Sequence, residues 1–291
     1  MAENKVSLYK DKKYGKKRII FDSFPSISNL LSTLEKLPNN KIMRNEHGSN
    51  EKDVNFTKTK SYEEACSLLK YGYEEILSKI IKETKETLST NIINLIPAQT
   101  PPKNLPVGYI PNVPNSLLNL PNSMINILRE PKKTKSISIY YCFGDSAGED
   151  AENFITAGVA LVSAINLIEK AGIRTRLYVG FMPAYRSNEI TFPTLKLKDF
   201  QDNFNLKKLC FPLIHPSMFR RIGFKWLETS PDITENSFSW GYGSPLKKEE
   251  EQIITNFIQE KNKNAYFISY KWMKQKDFKI EPVLKLFNVI K

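Results

Sequence analysis

Cysteine and histidine are scarce in this chain, and their scarcity removes whole classes of function. Of 291 residues only three are cysteines, Cys66, Cys142 and Cys210. They are odd in number and far apart, so no disulfide framework can be drawn, and they read as reduced thiols of a cytosolic protein. The two histidines, His47 and His215, have no close cysteine pair to complete a structural zinc site. No run approaches the roughly 18 apolar residues that a membrane span needs, so no membrane partner is expected. The first five residues are polar and lack the apolar core of a signal peptide. Acidic residues are in the minority, 31 against 43 Lys and Arg, a net charge of +12.

Apolar residues are not scarce. They make up 41% of the chain, enough for a sizeable core. The basic excess is densest near the start, where Lys12, Lys13, Lys16, Lys17 and Arg18 follow one another with only Asp11 in opposition. Such a cluster attracts nucleic acid by counterion release, or else forms a solvated arm. The segment 17–24 predicts a short strand, and Ser26 or Ser28 a helix start. Ser61 and Glu64 form a capping-box pattern that predicts a helix from about residue 62 to 88. Residues 96–131 hold eight prolines among many apolar side chains. Proline excludes most regular structure there. The apolar content predicts a segment laid across the core rather than a free linker.

From Ser136 the pattern changes. Ser136-Ile137-Ser138-Ile139 alternates as a strand does, residues 150–170 carry a broad apolar helical face, and strands are expected at 174–181 and 188–197. The short link between the last two makes them antiparallel neighbours. Strand, helix and strand before them form a right-handed parallel unit. Helices at 206–214 and 216–226, a helix at 246–261, a strand at 265–270 and a helix at 280–290 follow. This order predicts a Rossmann-like α/β fold, a mostly parallel sheet with one antiparallel strand and helices on both faces. A helical and proline-rich N-terminal region, residues 1–131, would pack on that domain of residues 132–291.

Several segments are similar to an uncharacterised bacteriophage protein family with a von Willebrand factor A-like domain. They are Tyr62-Glu63-Glu64-Ala65, Ile110-Pro111-Asn112-Val113-Pro114, Leu120-Pro121-Asn122-Ser123-Met124, the Asp145-Ser146-Ala147-Gly148 turn, and the run from His215 to Phe224. The likeness spans roughly residues 60–245. It implies a phage or prophage origin, a site of action in the host cytoplasm and a phage or host protein as partner. It brings no activity with it.

Metal-holding von Willebrand factor A domains resemble one another in an Asp-x-Ser-x-Ser turn after the first strand. Laid on that pattern, Ser146 takes the last Ser, Gly144 the first and Cys142 the Asp, so two of three oxygen ligands are lost. A hard cation such as Mg²⁺ prefers oxygen. A shifted set, Asp145, Ser146 and Asp150, would restore three oxygens. The structural alternative is a tight turn with Asp145 or Ser146 capping the helix. A phosphate loop is excluded, because GxxxxGK[ST] is absent and Glu149, Asp150 and Glu152 repel anions. His215, Pro216, Arg220 and Arg221 read as a packing motif with internal ion pairs, the alternative being a phosphate or acid–base site. With no catalytic set in view, the expectation is a non-enzymatic accessory protein without cofactor. It would bind a partner through the turn of Cys142, Gly144, Asp145 and Ser146. A basic nucleic-acid-associated protein is the alternative.

Overall fold

A computed structural model describes residues 4–11, 15–38, 54–91, 103–126, 136–144, 149–181, 184–186, 189–231 and 246–289. The chain opens with strands β1 (Asn4–Asp11) and β2 (Gly15–Phe24) and helix α1 (Ile27–Lys36). The Ser26 hydroxyl caps α1 by accepting from the Asn29 amide at 3.2 Å. A short α2 (Val54–Thr57) precedes α3 (Tyr62–Tyr71) and α4 (Leu77–Asn91). The single helix expected over 62–88 is thus broken in two. Gly72 ends α3 with φ +97°, and the next amide, Tyr73, leaves the helix to donate to the Lys207 carbonyl at 3.1 Å.

The middle of the chain holds β3 (Lys103–Leu105), β4 (Ile110–Pro111), α5 (Val113–Leu117) and β5 (Met124–Asn126). After these come β6 (Ser136–Cys142), α6 (Ala151–Lys170), β7 (Arg174–Gly180), β8 (Ala184–Arg186), β9 (Glu189–Thr191) and β10 (Thr194–Lys198). The C-terminal part adds α7 (Leu206–Ile214), a π-helical turn (Met218–Gly223), α8 (Phe224–Thr229) and α9 (Lys248–Lys261). It closes with β11 (Ala265–Ser269), α10 (Tyr270–Lys274) and α11 (Ile280–Leu286).

The fold is mixed α/β. Eight strand segments form the main sheet, and their registers resolve them into six tracks. Strand β2 pairs in parallel with β9 (Arg18 with Glu189) and with β10 (Phe24 with Leu195). Both pairs differ by 171 residues, so β9 and β10 are one strand interrupted at Phe192-Pro193. Antiparallel pairing of β7 with β10 and β8 with β9 makes β7–β8 and β9–β10 a long hairpin. The track order is therefore β11, β6, β7–β8, β9–β10, β2, β1.

The antiparallel neighbours expected on either side of residues 182–187 are present. The single antiparallel strand is not the whole pattern. Tracks β9–β10 and β2 both run against β11, β6 and β7, and β1 reverses again. The sheet is thus two parallel blocks meeting at one antiparallel seam, with an antiparallel edge, and it draws strands from both sides of residue 131. Around the basic N-terminal stretch, residues 4–11 and 15–22 pair as antiparallel strands over eight positions.

Side chains alternate across β6 as the pleat requires. Ile137, Ile139, Tyr141 and Phe143 enter the larger core, beneath α1, α3, α6, α7 and α8. Cys142 enters a second core under α9, with Ile190, Phe192, Ile253 and Phe257. Helix α6 is the axis of the larger core. It has 20 residues, and an 18-residue window of it has a mean hydropathy of 1.5, apolar and long enough to cross a membrane by composition, contrary to the sequence expectation, yet that window is 78% buried within the protein. Gly158 lets α7 approach it. A Cβ there would strike the Leu213 carbonyl and the Ile214 Cα.

Candidate interaction surface

The described residues on either side of the turn after β6 are engaged in the fold's own packing and bonds. Cys142 is buried on the α9 side and Gly144 is buried beyond it. Asp145 and Ser146 lie outside the described residues. Asp150 caps α6, its carboxylate accepting from the Glu152 amide at 3.1 Å. Glu149 accepts from the Tyr270 hydroxyl at 2.8 Å, the Asn153 amide at 2.7 Å and the Lys274 ammonium at 2.5 Å. Burial pushes that carboxyl up, but Lys274, Tyr270 and Asn153 together overrule it and hold it below the usual carboxylate range. Among the described residues no three His, Cys, Asp or Glu side chains converge as a metal would require.

The 215–221 cluster faces inward. His215 stacks on Phe211 at 4.9 Å and meets Tyr73 edge-on at 5.1 Å. Its Nδ1 accepts from the Ser217 amide at 3.2 Å. Pro216 is buried beside it. Arg220 is buried over the Phe219 ring, 5.0 Å from its centroid. Arg221 spans Thr57, the last residue of α2, and Thr59 just beyond it. Its Nε donates to Thr59 Oγ1 at 2.6 Å, and one terminal nitrogen donates to the Thr59 carbonyl at 2.6 Å and to Thr57 Oγ1 at 3.1 Å. The Ser217 hydroxyl donates to the Thr57 carbonyl. These bonds pin residues 57–59 onto the π-helical turn.

Burial pushes His215 down to about 4, with the nearby Lys58 charge acting the same way. The ring is neutral near pH 7. An unfolded imidazole takes a proton near pH 6.5, whereas the folded one does so only near 4. Between those values the unfolded state binds more protons, so stability falls as pH falls. The expected loss from this ring is about 2–3 kcal/mol across the interval. Urea melts at both pH values check it, with the His215→Phe variant lacking that component.

Burial pushes Cys210 up to about 12 and raises Cys66 as well. Of the basic group, Lys12 and Lys13 lie outside the described residues. Lys16 and Lys17 have their backbone in β2. Arg18 is in an ion pair with Glu189 at 2.5 Å, across the β2–β9 pair.

The unusual surface lies elsewhere. Residues 103–126 form a small unit with its own sheet, ordered β3-β5-β4, and its strands pair chiefly with each other. Asn112 caps α5 by accepting from the Asn115 amide. Asn115 donates to the Asn122 carbonyl at 3.1 Å, and Asn112 to the Asn104 side chain at 3.1 Å. No residue described in this unit is buried. The prolines and asparagines thus fold an excursion whose apolar side chains stay outside, rather than the core-covering segment expected. Tyr109 is 87% exposed, with Val107 and Ile110 beside it in sequence. On and after α5, Leu117 is 81% and Leu118 70% exposed, and Val113 and Leu120 are exposed as well. Val113 and Leu117 share one helix face by their i, i+4 spacing. Ordinary surfaces scatter such residues singly. Here seven stand exposed within fourteen positions.

Residues 6–291 match the family described as a domain of unknown function, DUF7192. The chain belongs to that family. No curated protein and no solved structure matches it. In this DUF7192 chain the sequence motifs therefore sort by position. Cys142, Gly144 and the 215–221 run lie in the interior, and the described part of the proline-rich segment, expected to pack on the core, supplies the exposed apolar surface. Exposure was beyond reach of the pattern, because the same apolar residues would be written for a buried strap. One signal could have been used: residues 104–126 contain no Asp, Glu, Lys or Arg, in a chain where 25% of residues are charged.

Proposed function

We propose that this is a non-enzymatic, phage-encoded accessory protein that binds another protein surface through the 103–126 excursion, on a von Willebrand factor A-like core. One observation carries the reading: seven large apolar side chains stand exposed on a unit that covers no part of the core. The track order β11, β6, β7, β10, with a helix between β6 and β7 and with β10 reversed, supports the core assignment. The binding surface is moved from the turn to the excursion. Cys142 is buried, and Glu149 and Asp150 are held by Lys274 and by the start of α6.

The test is affinity capture of tagged protein from infected cells after nuclease treatment, wild type against Tyr109→Asn/Leu117→Asn/Leu118→Asn. These side chains are exposed, so the variant should keep the wild-type melting temperature. A stoichiometric protein recovered with the wild type should fall about tenfold or more with the variant. Equal recovery by both proteins would sink the proposal. Recovery of nuclease-sensitive material alone would shift the function to the basic residues near the start of the chain.

A further inference from the structure

We infer that the protein surface engaged by the 103–126 excursion is the same excursion of a second copy, related by a two-fold axis. The inference rests on the interaction reading above. A two-fold interface must be complementary to itself. Apolar side chains are, whereas a charged patch meets its own sign. Each copy carries +12, so two copies repel over most of their surface. Residues 104–126 are free of charge, and this is where two copies come together without burying like charges.

The polar groups of the unit are turned to one another. Asn112 bonds Asn104, Asn115 bonds the Asn122 carbonyl, and Ser116 bonds the Ser123 carbonyl at 3.4 Å. The exposed surface is uncharged, its apolar side chains standing among the exposed Asn104, Ser116, Asn119 and Asn122. Strand addition is discouraged at the edges, since Pro111 stands in β4 and Pro106 follows β3, and neither has an amide to donate. Contact through side chains closes the dimer where strand pairing would extend a fibre. Seven large side chains at these exposures offer on the order of the ~800 Å² per partner of a standard interface.

The sign of the salt effect is diagnostic. Association of two like-charged bodies through a neutral surface tightens when charge is screened. Binding to nucleic acid, to an acidic partner or to an anionic membrane loosens.

Sedimentation equilibrium of the full chain over the micromolar range tests this, from about 0.01 M to about 1 M salt, over which the Debye length falls from ~30 to ~3 Å. The expected result is a monomer–dimer equilibrium that tightens with salt, and a Leu117→Asp/Leu118→Asp chain that stays monomeric with an unchanged melting temperature. A monomer at every salt overturns the inference. So does a dimer that salt weakens, or one that the double variant retains. Flotation with phosphatidylserine-containing vesicles that depends on Leu117 and Leu118 also overturns it, assigning the surface to a membrane. If the chain is monomeric but the asparagine variant still loses a foreign protein in the capture experiment, only the dimer falls. If nothing is lost there either, the interaction reading falls with it.

Discussion

Lys198→Met is expected to cost about 3–5 kcal/mol of unfolding free energy, because it takes from the buried Glu169 carboxylate its buried ammonium and leaves it the half-exposed Arg174 at 3.8 Å. Lys198 stands at the end of β10, 2% exposed in its side chain, and Glu169 in the last turn of α6, 6% exposed. The ammonium has three donors and three acceptors: Glu169 Oε1 at 3.0 Å, the Thr175 carbonyl at 3.0 Å and the Asp199 carbonyl at 3.1 Å. Glu169 Oε1 also accepts from the Thr175 amide at 2.8 Å and its hydroxyl at 2.5 Å. The pair therefore ties α6, β7 and β10 together at one end of the sheet. Its coulombic gain is offset by the desolvation of both ions, so the intact pair adds little net stability, while breaking it is expensive. Lys198→Met/Glu169→Gln should accordingly lose less than Lys198→Met alone, an amide oxygen remaining to meet Thr175. Urea unfolding of the three proteins measures this. A loss below about 1 kcal/mol in the single variant would refute the account.

Arg221→Met is expected to cost about 3–4 kcal/mol and to loosen residues 54–60 before the rest of the chain. The guanidinium meets two threonines through two different nitrogens, with Ser217 completing the group at Thr57 and Thr59. Removing it leaves the Thr59 carbonyl with the Thr57 hydroxyl at 2.8 Å and takes two further donors from the buried threonine hydroxyls, in an interior where each unsatisfied group costs about 1–3 kcal/mol. Arg221→Lys should not rescue, since one ammonium cannot reproduce a planar fork aimed at both threonines. Hydrogen exchange reads the effect locally. Protection should fall first at the amides of residues 54–60, and unchanged protection there would show that the segment is held by something else.

Local signals were read where the physics is local. The alternation from Ser136 predicts a strand over 136–143, and β6 occupies Ser136–Cys142; the helix expected over 206–214 is α7, Leu206–Ile214. Ser61 begins α3 as expected, accepting from the Glu64 amide at 3.2 Å. Glu64 itself reaches back to the Lys60 amide at 2.5 Å, one residue beyond the Ser61 amide of the reciprocal capping-box bond. The break at Gly72 was missed because the apolar stripe continues through it, and the bond that diverts the chain comes from Lys207, 135 positions later. The placement of β2 had no local signature either. Its partner residues stand 171 positions away, and a strand's pattern states which face is apolar but not which strand lies beside it.

By itself the sequence determined the charge balance, the absence of a close cysteine pair, the strand–helix–strand unit around α6, and the charge-free proline-rich stretch. These follow from composition and from periods of 2 and 3.6 residues, which any short window displays. Tertiary structure alone decided that Lys198 meets Glu169, that Arg221 meets Thr57 and Thr59, that β2 lies between β9–β10 and β1, and that the apolar residues of 103–126 face outward. Burial and pairing are properties of two segments at once, set by the free energy of bringing them together, and no window of one segment contains the other.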